Sequence, residues 1–253
     1  MQKKENRLAR TALTVLGYEI AFAFVGFVIT PALAESAAAI RIPVVGLFIA
    51  AFWAFAAISG MSRGEREFDM SQKLKKLTDS EGYHATKAEE SKRFSRSRAI
   101  LAALIAAAPV VIAAVCVAVT AEPYTYMLQG TPSWLGTYMA REEIGAATAY
   151  LQEIAVSVVW TDYLRVGVRF LLFPYVSLIG NMTDAAALLF DRISPVLALL
   201  LPAFYAAGYQ FGPARYAKTR KFIEDAKNKP RKRLKKEAKQ RLAGKTSGKK
   251  ELV

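Results

Sequence analysis

Polar and apolar residues separate along this chain into blocks. Ala12 to Thr30 is a run of 19 residues whose only charge is Glu19, closed by Pro31. Ile42 to Ser59, Ala99 to Thr120 and Ala185 to Ala207 repeat the pattern, the last holding Asp191 and Arg192. At a rise of about 1.5 Å per residue each block makes a helix of about 27–35 Å, close to the thickness of a bilayer's hydrocarbon core. The blocks predict an all-α, multi-pass integral membrane helical bundle.

The organisation that follows has six parts. Residues 1–60 form an N-terminal transmembrane hairpin, with spans at about 12–30 and 42–59. Residues 61–98 form a charged helical hairpin, 99–120 the third span, and 121–184 an external or membrane-inserted helical region. The last span falls in 185–212, and 213–253 is a basic tail. In the charged hairpin, Asp69 with Lys73 and Glu89 with Arg93 stand i,i+4 with the acid first, which predicts helix on each side of a break near Asp79 to Gly82. Gly46, Ala50 and Ala54 make a row of small residues, as do Ala99, Ala103 and Ala107; such rows let membrane helices approach closely. For the first row, packing within the chain is the preferred reading over a dimer seam.

Two segments resist assignment. Ile144 to Trp160 is broken by Gln152 and Glu153, and Leu164 to Gly180 contains Arg165, Arg169 and Pro174. Charge supplies a parity argument. Lys and Arg number 35 against 21 Asp and Glu, and the excess lies outside the apolar blocks. Lys3, Lys4, Arg7 and Arg10 precede the first span, ten basic residues fall in 61–98, and sixteen basic against four acidic residues follow Pro213. Residues 121–162 carry Arg141 alone against five acids. By the positive-inside rule both termini and the charged hairpin are cytoplasmic, which places the protein in the cell (cytoplasmic) membrane and requires an even number of crossings. An arginine near a helix centre costs about 2.5–3.5 kcal/mol on insertion scales, so four spans are preferred, with six as the alternative. The first 34 residues also have the layout of a secretory signal, ending in Ala32-Leu33-Ala34; the long apolar run and Glu19 favour a retained helix.

Candidate chemistry is sparse. The only cysteine, Cys116, lies in an apolar block and the only histidine, His84, in a charged one, which leaves no zinc-ligand or Cys/His nucleophile spacing. No catalytic residue, cofactor or metal is expected. Asp162, Arg165 and Arg169 fall at i, i+3 and i+7, so a helix would put all three on one face that cannot comfortably meet lipid. Glu19 is the expected partner of Arg165 or Arg169, and Asp191 with Arg192 forms a second candidate site. A static bridge that sets helix packing is favoured over a transport path. In the tail, Arg231, Lys232, Arg233, Lys235, Lys236 and Lys239 are opposed only by Glu237, a cluster attracted to anionic headgroups. No aromatic residue interleaves it, so nucleic-acid or ribosome contact is the less favoured partnership. A protein partner or homo-oligomer is the other candidate.

These readings lead to a membrane accessory or scaffold protein without catalytic activity. It would dock partners or anionic lipid through its cytoplasmic basic elements. The alternative is a small transporter or channel subunit using Glu19, Arg165 and Arg169. A membrane-protein insertion factor is a weaker third.

Overall fold

A computed structural model describes residues 2–33, 36–122, 125–126, 155–156, 159–179 and 184–228. Helix α1 (Gln2–Ile29) leads through a 3-10 turn (Pro31–Leu33) into the 44-residue α2 (Ala38–Glu81). A single helical turn, α3 (Lys87–Glu90), precedes α4 (Arg96–Val119). Thr125–Tyr126 and Ala155–Val156 pair as a two-residue parallel bridge. Then come α5 (Trp160–Leu171), α6 (Phe173–Ile179), α7 (Asp184–Gln210) and a further helix, α8, over 212–228.

Among the described residues, four helices are long and apolar enough to cross a membrane, and they lie in α1, α2, α4 and α7. Leu164 to Gly180 does not form one such helix. Pro174 has no N–H to donate, and the chain turns at Leu172 between a 12-residue and a 7-residue helix. The other ambiguous segment, Ile144 to Trp160, falls almost wholly outside the described residues.

The charged hairpin differs from expectation. Its first arm is the uninterrupted continuation of α2, supported by i,i+4 pairs Arg63–Glu67 (3.2 Å) and Asp69–Lys73 (2.7 Å) and ended by Gly82 in the left-handed conformation. The expected second arm is only the four residues of α3. The Glu89 carboxylate accepts the Thr86 N–H (3.0 Å), the Thr86 hydroxyl (2.9 Å) and the Tyr83 hydroxyl (2.9 Å), a capping arrangement that starts a turn. The Thr86 N–H is the main reason this carboxyl sits below the ordinary range, followed by the Tyr83 and Thr86 hydroxyls. Soon afterwards Phe94 is captured by the bundle: its N–H donates to Ser71 Oγ (2.7 Å) and its ring stacks on Tyr209 at 4.9 Å. A longer helix would have to release both.

The bundle alternates in direction through α1, α2, α4 and α7, so α2 and α7 run parallel. Their contact is made by two Gly-x-x-x-Gly pairs, Gly60 with Gly64 on α2, and Gly208 on α7 with Gly212 at the start of α8. A Cβ on Gly60 or Gly64 would run into the backbone of Tyr205 or Tyr209, and one on Gly208 into the Ala57 carbonyl. The backbones therefore meet directly, the geometry that small-residue motifs permit. The row singled out from the sequence on α2 is not this seam: Ala50 and Ala54 are exposed, and a Cβ on Gly46 would meet open space. On α4 the alanine row is buried as expected, with Ala99, Ala103 and Ala107 joined by Ala102, Ala106 and Ala114. Aromatic rings fill the interior further along, Phe22 against Phe48 (5.8 Å) and Tyr175 (5.3 Å), and Trp53 against Phe204 (4.9 Å).

Overpacking a closed contact costs about 1–3 kcal/mol. Gly208→Val should therefore lower the stability of the detergent-solubilised protein by about that much, whereas Gly46→Val should stay within about 0.5 kcal/mol. Chemical denaturation followed by tryptophan fluorescence measures both, and equal effects would contradict the assigned seam.

Candidate functional site

Helix α5 is amphipathic in an inverted sense. Thr161, Asp162, Arg165 and Val168 are buried, while Trp160, Tyr163 and Val166 are 66%, 73% and 68% exposed. The polar stripe faces inward and the large apolar side chains face out. That arrangement suits a helix whose outer surroundings are less polar than its inner ones.

The inward stripe meets α7. Arg165 lies between two carboxylates, with Nη1 3.2 Å from Asp162 Oδ1 and Nε 3.1 Å from Asp191 Oδ2. Arg169 grips Asp191 with two parallel bonds, Nε to Oδ1 at 2.9 Å and Nη2 to Oδ2 at 2.8 Å. Asp162 also accepts the Val159 N–H (2.9 Å) at the start of α5, and Arg165 Nη2 donates to the Thr120 carbonyl (3.4 Å) at the end of α4. Among the described residues, two guanidinium groups thus face two carboxylates, and their charges balance. The cluster joins α4, α5 and α7. Such a group gains its stability from completeness, because each buried ion is tolerable only while its partners remain.

Of the residues marked from the sequence, Asp162, Arg165, Arg169 and Asp191 come together. Glu19 and Arg192 do not. Glu19, expected to pair with Arg165 or Arg169, has both carboxylate oxygens buried without a hydrogen-bond partner and makes no ion pair among the described residues. The reason is Asp191, which occupies the guanidinium groups that Glu19 was expected to use. Nor do Asp191 and Arg192 form a second site, since adjacent residues point about 100° apart on a helix: Asp191 is buried and Arg192 is exposed. Glu19 is 8% exposed and lines a cavity of about 670 Å³ formed with apolar residues including Leu16, Pro109, Val110 and Leu164. By helical rise it stands roughly 15 Å from the end of α1 at Ile29.

A second polar centre lies where α2, α4 and α7 meet at the opposite end of the bundle, and the sequence reading missed it. Glu67 is its hub, paired with Arg63 (3.2 Å) and Arg98 (3.7 Å) and accepting the Tyr209 hydroxyl. Arg98 also donates to the Ser91 carbonyl (2.6 Å), and Arg215 reaches Glu65 (3.1 Å) and Ser62 (3.2 Å). The i,i+4 spacing of Arg63 and Glu67 was the available signal. The lone His84 is exposed, Cys116 is half-buried, and among the described residues no group of three His, Cys, Asp or Glu side chains could hold a metal ion. The basic run from Arg231 to Lys239 lies outside the described residues.

No family model, curated protein or solved structure matches the chain.

Removing one partner of a buried ion pair costs about 3–5 kcal/mol. Arg165→Met should therefore destabilise the protein by about that amount. The double variant Arg165→Met/Asp162→Leu should recover part of the loss, because one stranded carboxylate is then gone. Denaturation midpoints of the two variants decide this; a double variant no better than the single would show that Asp162 and Arg165 are not coupled.

Proposed function

We propose that this chain is a non-catalytic accessory or scaffold subunit of the cytoplasmic membrane. On this reading it crosses the bilayer four times with both termini in the cytoplasm, and engages a protein partner or anionic lipid through its basic end. The observation that carries the proposal is the division of its polar chemistry. Among the described residues the interior cluster around Arg165 and Asp191 pairs two cations with two anions and is tied into three elements, which suits a fixed bridge better than a moving charge. Apart from Arg41 and Arg192, the remaining cationic groups among the described residues collect at the other end. There residues 217–228 of α8 are exposed throughout, carrying Lys218, Arg220, Lys221 and Lys227 beside Phe222 and Ile223. A basic helix with exposed apolar residues is the kind that lies on an anionic surface or an acidic partner. Arg63, Arg66, Arg98 and Arg215 belong to that same end, and the positive-inside rule makes it cytoplasmic.

A second reading, a transporter or channel subunit, rests on Glu19 alone. Among the described residues it is a buried carboxyl group without a partner, about halfway along an apolar helix.

Reconstitution separates the two. In proteoliposomes the scaffold reading expects proton and monovalent-cation flux no greater than in protein-free vesicles, and unchanged by Glu19→Gln. A flux abolished by Glu19→Gln would replace it with the second reading. The topology is checked in cells after replacing Cys116: a cysteine at Ser80 or Ser247 should react with an impermeant maleimide only from the cytoplasmic side, and one at Glu122 only from outside. Labelling of Ser247→Cys in intact cells would overturn it.

A further inference from the structure

A groove of about 590 Å³ runs between α4 and α7 at the basic end. Its floor is made of small buried side chains, Ala103 and Ala206 among them, and its apolar walls include Leu104 and Leu199. Arg96, the first residue of α4, stands at one end of the groove and is exposed. Its situation differs from that of its neighbours. Arg98 and Arg215 are engaged by Glu67 and Glu65, whereas Arg96 makes no ion pair among the described residues.

We infer that this groove binds one anionic glycerophospholipid of the cytoplasmic leaflet, its phosphate held at Arg96 and an acyl chain laid along the alanine floor toward Leu104 and Leu199. The inference rests on the membrane placement proposed above. The dimensions suit it: eight residues of helix separate Arg96 from Leu104, about 12 Å, against about 15 Å for one half of the hydrocarbon core. A cation therefore sits at headgroup level with an apolar channel beneath it, within the 300–1,000 Å³ range of ligand sites. Charge selects the occupant. A second copy of the chain inserted with the same topology would bring its own basic end to the level of Arg96, where like charges oppose. An anionic headgroup supplies the missing counter-charge.

The test is native mass spectrometry of the full-length protein in detergent, titrated with phosphatidylglycerol or with phosphatidylcholine of identical chains. Wild type should retain one phosphatidylglycerol in preference to phosphatidylcholine. Arg96→Ala should weaken phosphatidylglycerol retention about five- to tenfold and leave phosphatidylcholine unchanged, and Arg96→Lys should restore most of the preference. Ala203→Trp, at an exposed position lining the groove, should reduce retention of both lipids. Equal retention of the two lipids by wild type overturns the inference. So does a phosphatidylglycerol preference that survives Arg96→Ala, or retention that is untouched by Ala203→Trp. Monodispersity of the protein in detergent-free buffer, measured first, would instead overturn the membrane placement, so the two failures are told apart.

Discussion

A chain whose outer surface is this apolar must neutralise its buried charges against one another. Leu47 is 75% exposed, Ile112 64% and Val196 62%, on three different long helices. With such a surface, an inward-facing guanidinium has no inexpensive escape to the periphery midway along the bundle. The cluster of Asp162, Arg165, Arg169 and Asp191 is the solution adopted near one end. Because its members come from α5 and α7 and it reaches the last turn of α4, completing it fixes how those elements meet. The inverted amphipathicity of α5 follows directly, since the side that supplies the ions must face inward and Trp160, Tyr163 and Val166 are left outside. The position of α6 follows in turn: Pro174 comes so close to Gly26 of α1 that a Cβ there would collide with its ring.

The other end of the bundle solves a different problem with different means. There α2 approaches α7 and the start of α8 until their backbones touch, through Gly60, Gly64, Gly208 and Gly212. Glycine in a helix costs about 1 kcal/mol relative to alanine, and four of them at one seam are justified only by the dispersion contact that close approach permits. Contact this close leaves little space for long side chains between the axes. The polar groups of this end are accordingly arranged beside the seam, where Glu67 gathers Arg63, Arg98 and Tyr209. One end of the molecule is tied by ions between helices, the other by the absence of side chains between them.

The order of the four long helices and the place of the apolar stretch in each were legible in the sequence, because block hydrophobicity depends only on composition within a window; the unbroken run of α2 to Glu81 was not. The face shared by Asp162, Arg165 and Arg169 was also legible, because helical period alone puts them together. What periodicity cannot supply is the identity of the element that a face meets. Glu19 and Asp191 were equally good acids for the arginine stripe on paper, and only the path of the chain brings Asp191 to it. Small residues posed the same ambiguity. Gly46, Ala50 and Ala54 repeat as regularly as Gly60 and Gly64, yet the first row looks outward and the second is pressed against α7. The end of the charged hairpin was misread for a more local reason. The spacing of Glu89 and Arg93 suggested a helical ion pair, but Glu89 is also three residues after Thr86, and capping the turn occupies its carboxylate first.

Glu19 remains outside both polar centres. The ion cluster lies at the C-terminal end of α4 and near the start of α7, the Glu67 network lies at the N-terminal end of α4, and neither supplies a partner to its oxygens. An unsatisfied buried polar group costs about 1–3 kcal/mol, more if charged, and an apolar side chain of similar shape at that position would avoid the cost. The surrounding residues would accept one: Leu16, Val110, Ala113 and Leu164 already make the adjacent cavity almost wholly apolar. Among the described residues, packing therefore gives no reason for a carboxyl group at position 19. Each charge in the two centres is explained by the contact it makes. The carboxyl of Glu19 is not, and that asymmetry is why the transport reading attaches to this residue and not to the arginines.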